Sequence, residues 1–345
     1  MKSLFNKKFR YIYILCPEKK ITGGTEALHQ LRYYLEILGF NSYIVYYNEK
    51  TKYINSDVPN RYLQYFTDKK NVVHGDAIED QNDICVVVPE FSTSILWRYS
   101  NVEKVIWWLS VRYYDGGQFM KYLAFRHWIK EIIQKPSNIF KYKNYSNPYD
   151  ITKAIHCCAS QYAYEHVTKR LNQKAYKLIE PISKDFLNIG PEINIKLDRK
   201  NQVAYNPAKP SKTMKELLKI GEFEFVPIRG MTPIEISQTM RTVKLYIDFG
   251  EFPGPERIPK EAVYNGAEII VGKRNAACNS FDINIPTQYK IGDYTNLKLV
   301  SAKIREMLEN YEKYYQDFEV FRNQICNLEK NFIESINYIW GKNEV

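Results

Sequence analysis

The sequence lacks any apolar stretch long enough to cross a membrane. No run approaches the roughly 18 uninterrupted apolar residues that a spanning helix needs. After a basic start, the apolar run at residues 11–16 is too short for the core of a signal peptide and is typical of a buried first strand. We therefore predict a cytoplasmic protein without an export signal, with peripheral contact at the inner membrane left open.

Cysteine pairs and metal-ligand motifs are missing as well. The six cysteines show no C-x-x-C spacing, and two of them, Cys157 and Cys158, are adjacent. No set of His, Cys and Asp residues has the spacing of a metal site. We expect free, mostly buried thiols, and neither a bound metal ion nor a cofactor.

Acidic residues are fewer than basic ones, so the formal net charge is +10. Such an excess favours anionic partners, among them nucleotide phosphates and the head groups of an anionic membrane. Lys and Arg are scattered along the chain, and none of the short nucleic-acid-binding signatures is present. We therefore expect no nucleic-acid partner.

What the sequence does contain is an alternation of short apolar runs with helical periodicity. At 345 residues the chain fits two domains, each with its own core. The alternation predicts parallel, doubly wound α/β sheets. The predicted strands are residues 11–15, 42–47, 84–88, 104–109, 154–158, 202–205, 223–227, 243–248 and 268–271.

A polar segment at about residues 191–201 indicates the boundary between the two domains. We predict a first Rossmann-like domain at residues 1–195 and a second at residues 196–295. Residues 296–345 follow as a long amphipathic helical segment that is expected to pack back across the domains.

The loop after strand 243–248 is the strongest candidate for binding an anion. It contains Gly250, Gly254 and Arg257, and a helix is predicted to start near Pro259. Amides at a helix start attract anions, glycines let a phosphate approach the backbone, and arginine binds phosphate with two hydrogen bonds. Glu261, in the first predicted turn, suits a ribose diol. A loop that only turns the chain, with Glu261 stabilising its own helix, fits the residues equally well.

Two basic residues are candidates for the same site. Lys209 follows the first strand of the second domain, where the loop is expected to face a ligand. Lys273 follows strand 268–271 and would add positive charge. For each of them, a solvated surface lysine is the alternative.

The first domain offers further candidates. Gly23 and Gly24 begin a helix after the first strand and are candidates for contacting the phosphate groups of a ligand or a second substrate, although a tight turn needs glycine anyway. Glu90, just after strand 84–88, is a candidate general base, and Asp115 competes for that role. Among the histidines, His29 lies on the first predicted helix, and two alternatives stay open for it: contact with a bound ligand or packing in the core.

Several segments resemble bacterial glycosyltransferases from polysaccharide gene clusters, which belong to the GT-B class. The matching segments are residues 205–209, 231–233, 246–250, 253–262 and 272–274. The resemblance implies two Rossmann-like domains facing a cleft, with a nucleotide in the second domain. It places Glu261 near the ribose, and Lys209 and Arg257 near the diphosphate. The absence of a D-x-D motif agrees with the metal-independent chemistry that is usual for this class.

One position departs from the pattern of the resembled class. Retaining family-four enzymes carry a glutamate eight positions before the ribose-binding one, and here that position is Pro253. Glu251 or Glu256 is left as a substitute, and Glu256 is counted with Gly254 among the nucleotide-binding candidates. Retention of anomeric configuration is therefore not predicted.

The resemblance implies an enzyme that moves a sugar from a nucleotide-sugar donor to a surface glycan of capsule or lipopolysaccharide. The acceptor is a glycan or a lipid-linked glycan. Two alternatives stay open, a nucleotide-sugar epimerase on the same fold and a non-catalytic protein that binds nucleotide or glycan.

Overall fold

The computed structural model describes residues 3–67, 71–112, 114, 150–192, 198–209 and 211–341. The chain divides into two compact units. Unit one comprises Met1–Glu180 and Lys330–Val345, and unit two comprises Pro181–Glu329. The chain passes from unit one to unit two between Glu180 and Pro181, ahead of the predicted boundary at residue 195. The residues just before that boundary pack within unit two. The Arg241 guanidinium contacts the Glu192 carboxylate at 3.1 Å and the Gly190 carbonyl at 2.6 Å.

Unit one contains a parallel sheet, and its described strands lie in the order β2-β1-β3-β4-β5-β6. Five of the six were predicted from their apolar runs. The sixth has three residues, of which only Ala175 is buried, so it carries no such signal. The strands and main helices are β1 Tyr11–Pro17, α1 Gly23–Ile37, β2 Ser42–Tyr47, β3 Ile84–Pro89, β4 Glu103–Trp108, β5 Ile155–Cys158, α2 Gln161–Glu165 and β6 Ala175–Lys177.

Side chains on the two faces of this sheet form two apolar layers. Along β1, Ile12 and Ile14 contribute to one layer, and Tyr13 and Leu15 contribute to the other. This alternation is the period of two that a strand imposes. Both sets are buried, as expected for a parallel sheet that is covered on each side.

Unit two contains a second parallel sheet, with described strands in the order β11-β10-β9-β7-β8. The short strand at Lys290–Ile291 was not predicted, since two residues show no periodicity. The elements are α3 Lys184–Ile189, β7 Lys200–Tyr205, α4 Lys212–Ile220, β8 Glu224–Pro227, α5 Pro233–Thr242, β9 Val243–Asp248, α6 Arg257–Tyr264, β10 Glu268–Gly272, β11 Lys290–Ile291, α7 Leu297–Glu309, α8 Tyr311–Tyr314 and α9 Glu319–Cys326.

The C-terminal helical segment is present, but it is a series of helices rather than one. Breaks occur at Asn310 and Asn327, whose side-chain amides donate to carbonyls four residues earlier, at 2.8 Å in each case. The backbone amides of the same two asparagines also bond these carbonyls, so each asparagine closes the last turn of its helix. The last helix, α10 Leu328–Trp340, belongs mainly to unit one, where the Trp340 indole donates to the Cys85 sulfur at 3.5 Å.

Each sheet has a point where the strand order reverses direction. In unit one it lies between β1 and β3, and in unit two between β7 and β9. Ligands of open α/β sheets bind outside the carboxyl ends of the strands at such a point. The loops that follow these four strands are therefore where the site residues are to be sought.

Candidate functional site

The loops after β7 and β9 are neighbours because these strands pair in parallel, with Tyr205 opposite Ile247 at their carboxyl ends. After β7 the chain makes a tight turn at Asn206. The Asn206 side chain accepts from the Ala208 amide at 2.9 Å, and its carbonyl accepts from the Lys209 amide at 3.2 Å. This turn sets the position from which the Lys209 side chain extends.

The Lys209 ammonium group lies among oxygen atoms of the β9 loop. It binds the Glu256 carboxylate, donates to the Glu251 carbonyl at 3.2 Å, and lies 3.5 Å from the Asp248 carboxylate. It also lies 4.8 Å from the centre of the buried Phe252 ring. The structure thus brings together two of the predicted nucleotide-binding residues, Lys209 and Glu256.

Asp248 is a member of this cluster that sequence reasoning did not select. It ends β9 and is buried, and its carboxylate accepts from the Gly250 amide at 2.8 Å and the Tyr246 hydroxyl at 3.2 Å. The sequence signal that could have identified Asp248 is its position: a carboxylate at the end of an apolar strand lies at the carboxyl edge of the sheet, where ligands bind.

Gly250 leaves the space that Lys209 occupies. A Cβ at this position would lie 3.0 Å from the Lys209 Cβ and 3.0 Å from an Asp248 carboxylate oxygen. Contacts this short force the neighbouring atoms to move. Glycine therefore leaves room for a close approach, as the sequence predicted for this loop, but the approaching group in the structure is a side chain.

The helix after the loop begins at Arg257 rather than near Pro259, with Glu256 as its N-cap residue. Proline fits the first turn, because the first four amides of a helix have no partner within the helix. The early start moves Glu261 out of the first turn to the middle of α6, where it is 5% exposed. Gly254 is buried in the loop just before the helix.

The Glu256 carboxyl group is largely enclosed, with its side chain 18% exposed. Burial raises its pKa, and the adjacent Lys209 ammonium opposes that effect. Its contact with Lys209 is therefore what favours the ionised form.

The two basic residues of the turn after β10 have different surroundings, since one is exposed to solvent and the other contacts the loop after β9. Lys273 is exposed, and its amide donates to the Ile291 carbonyl at 2.8 Å. The Arg274 guanidinium instead lies 3.2 Å from the Glu251 carboxylate. Arg274 therefore ties the β10 loop to the loop that carries Glu251, a role that the sequence did not reveal.

In unit one, Gly23 and Gly24 are the first residues of α1, as predicted. Thr22 and Thr25 form a reciprocal capping box, in which each hydroxyl accepts from the other residue's amide. A Cβ at Gly24 would lie 3.6 Å from the Leu109 side chain. This is an ordinary van der Waals contact, so packing does not demand glycine at residue 24.

Glu90 follows β3 at the reversal point of the first sheet, and it is 2% exposed. Its carboxylate accepts from the Leu109 amide, just beyond β4, at 3.0 Å. Burial raises the pKa of Glu90 to about 8, and backbone hydrogen bonds moderate the rise. A carboxyl group with such a pKa exchanges protons near neutral pH. The competing candidate Asp115 lies outside the described residues.

Two histidines of unit one, His29 and His156, are core residues. The ring nitrogens of His29 bond the Thr25 carbonyl at 2.6 Å and the Tyr46 hydroxyl at 2.8 Å, and burial lowers its pKa to about 4. His156 accepts from the Trp108 indole at 3.0 Å. Both rings are neutral structural groups at physiological pH.

Within the described ranges, no group of three or more His, Cys, Asp and Glu residues is placed to hold a metal ion. In the same part of the chain, no helix has the length and apolar character required to cross a membrane. All six cysteines are free, and four of them are buried.

No protein-family model matches this chain, and a search of curated proteins finds no match. Solved structures do match in fold. WaaG, a glycosyltransferase involved in lipopolysaccharide biosynthesis, is 11% identical with a TM-score of 0.53, over 94% of this chain and 98% of that one. A trehalose-6-phosphate synthase is 9% identical with a TM-score of 0.52, over 96% and 99%. The N-terminal domain of Candida albicans trehalose-6-phosphate phosphatase is 9% identical with a TM-score of 0.51, over 99% and 96%.

These likenesses extend over nearly the whole chain and include both α/β units. They confirm the predicted fold class, and the chain has the GT-B fold. At such low identity they describe the fold, and the chemistry has to be argued from the residues of the site.

Proposed function

We propose that this protein is a glycosyltransferase that takes its sugar from a nucleotide-activated donor. The observation that carries the proposal is the Lys209 cluster, which lies at the strand-reversal point of the second sheet in a chain with the GT-B fold. A fixed ammonium group beside the start of a helix suits a diphosphate.

The donor diphosphate is assigned to the loops after β7 and β9. The ammonium of Lys209 and the amides of the first turn of α6 would bind phosphate oxygens, and Arg257 is the residue that begins that turn. When the glycosidic bond breaks, negative charge develops on the departing diphosphate. Preorganised cationic groups and amide dipoles stabilise that charge without a metal ion.

The acceptor hydroxyl must lose its proton as it attacks the anomeric carbon, and we assign this proton to Glu90. The carboxyl group is fixed by the Leu109 amide. Its pKa of about 8, raised by burial, makes its ionised form a stronger base than an ordinary carboxylate.

For the acceptor, we propose a surface glycan of capsule or lipopolysaccharide type at the inner face of the membrane. Support comes from the resemblance of the second half to polysaccharide-cluster enzymes and from the fold match to WaaG, which is involved in lipopolysaccharide biosynthesis. The net charge of +10 would favour contact with anionic lipid.

The test uses radiolabelled nucleotide sugars, incubated with and without lipid-linked glycans extracted from bacterial membranes. We expect label to pass to the glycan, with a rate unchanged by EDTA. Conversion of the nucleotide sugar in the absence of glycan would instead favour an epimerase. Binding of the nucleotide sugar without any conversion would favour a non-catalytic binding protein.

A further inference from the structure

We propose that Glu256 is an exchangeable counter-ion of Lys209. When the donor diphosphate binds, the Glu256 carboxylate leaves the Lys209 ammonium group and takes up a proton. The inference rests on the proposed function, because it assigns the diphosphate to Lys209. It adds a proton-linked step to donor binding.

The argument starts from the number of donors on Lys209. An ammonium group has three N–H bonds. Three oxygens of the β9 loop surround it, from the Glu256 carboxylate, the Glu251 carbonyl at 3.2 Å and the Asp248 carboxylate at 3.5 Å. A phosphate oxygen that binds Lys209 therefore has to compete with these oxygens for the ammonium group, whose two hydrogen bonds go to Glu256 and Glu251.

Glu256 is the group that is easiest to displace. The Asp248 side chain is 2% exposed and is fixed by the Gly250 amide and the Tyr246 hydroxyl. The Glu251 oxygen belongs to the backbone. In the described part of the chain, the Glu256 carboxylate makes its hydrogen bond with Lys209, and its side chain is 18% exposed.

Displacement changes the charges that face Glu256. Those groups are Lys209 from the β7 loop, Asp248 and Tyr246 from β9, and Lys260 from α6. In the structure, the single positive charge of Lys209 lies against two carboxylates. Bound diphosphate would take over that charge and place further negative charge beside them.

Proton uptake follows from this change. Burial already raises the pKa of Glu256, and Lys209 is the main group that opposes the rise. Without Lys209 and beside a phosphate, the carboxylate is both enclosed and repelled, so its neutral form is favoured. Asp248 keeps its hydrogen bonds from the Tyr246 hydroxyl and the Gly250 amide and stays in place beside Lys209.

The sign of the pH dependence is fixed by linkage. A ligand whose binding takes up a proton binds more weakly as the pH rises, by up to about tenfold per pH unit for one full proton. We therefore expect the Kd for the donor to increase with pH between the pKa of Glu256 in the free protein and that in the complex.

The test is calorimetric titration of the full chain with UDP-glucose, GDP-mannose, ADP-glucose and dTDP-glucose, in two buffers of different ionisation enthalpy. These diphosphates are diesters, so they do not titrate near neutral pH. We expect uptake of about half to one proton per donor bound in the wild type. Glu256→Gln should show no uptake and bind up to about tenfold more tightly at high pH.

The control is Glu216→Gln, which removes a carboxylate from an exposed glutamate–lysine pair on α4. It should keep the proton uptake of the wild type. Binding without uptake in the wild type, or equal uptake in Glu256→Gln, would overturn the inference and leave the proposed function standing. If none of the four nucleotide sugars binds, the proposed function itself fails.

Discussion

At the scale of single residues, Glu90 is the buried carboxyl group that we propose as the general base. If it is the general base, the transfer rate of the wild type rises with pH until it levels off above about 8, where Glu90 is ionised. Glu90→Gln keeps an oxygen for the Leu109 amide but cannot accept the proton, so we expect the rate to fall about 10²- to 10⁴-fold.

The measurement is a pH–rate profile of sugar transfer for both proteins, with the melting temperature followed in parallel. A Glu90→Gln enzyme that keeps the rising limb of the wild type would show that Glu90 only anchors the end of β4. A normal melting temperature with a lost limb would support the catalytic role.

Glu268, at the start of β10, gives a prediction about stability. Its carboxyl oxygens are buried, without a hydrogen-bond partner in the described part of the chain, and burial raises its pKa to about 9. The folded protein therefore keeps a proton that the unfolded chain loses above about pH 4.5. Folding stability contributed by this group falls as the pH rises from about 4.5 to 9, by at most about 1.4 kcal/mol per unit.

We expect Glu268→Met to raise the free energy of unfolding by about 2 to 4 kcal/mol at pH 8 and by much less at pH 5. Urea titrations at the two pH values measure this difference. Glu312→Met, at an exposed position on α8, serves as the control and should change little at either pH. If Glu268→Met raised the free energy of unfolding equally at both pH values, Glu268 would not be an enclosed carboxyl group that stays protonated in the folded protein.

At the scale of elements, the loop after β9 depends on the close approach of Lys209 to Gly250. In Gly250→Ala the new methyl group would displace the Lys209 stem, and such overpacking costs about 1 to 3 kcal/mol. We expect the affinity for the donor, measured by titration, to fall by about tenfold or more. Gly292→Ala adds a methyl group in open space and should bind the donor like the wild type. Equal affinities for both variants would show that Lys209 does not contribute to the site.

Local signals in the sequence predicted the elements well where one short segment contains all the information. Thr232, Pro233 and Glu235 form a common sequence signature of a helix start, and α5 begins there with a reciprocal capping box between Thr232 and Glu235. Gly39 follows the end of α1, where glycine is common, and its φ of +79° is one that glycine adopts without strain. Strands as short as β6 and β11 gave no such signal.

Contacts between distant segments could not be predicted in this way. Lys209 and Glu256 are 47 positions apart, and only the pairing of β7 with β9 brings them together. The sequence therefore pointed to both residues separately, through their loops, but not to their mutual ion pair. Asp248 was missed, and the contact of Arg274 with Glu251 was not predicted, for the same reason, since both depend on which loops become neighbours.

At the scale of the whole molecule, the two units repeat one architectural principle. Each is a parallel sheet with a reversal of strand order, and each has candidate residues on loops that follow the strands at that reversal. Glu90 and the Gly23 turn occupy these loops in unit one, and Lys209 and Glu256 occupy them in unit two. The fold matches extend over both units.

The most direct test of the central claim is a thermal-shift measurement of the full chain with UDP-, GDP-, ADP- and dTDP-sugars. A donor present at 100 times its Kd stabilises the folded protein by about 2.7 kcal/mol. We predict that one of the four nucleotide sugars raises the melting temperature of the wild type and of Lys219→Met, which alters an exposed lysine paired with Glu216. In Lys209→Met the same nucleotide sugar should give little or no shift. No shift with any of the four, or an undiminished shift in Lys209→Met, would contradict a nucleotide-sugar site at the β7 and β9 loops.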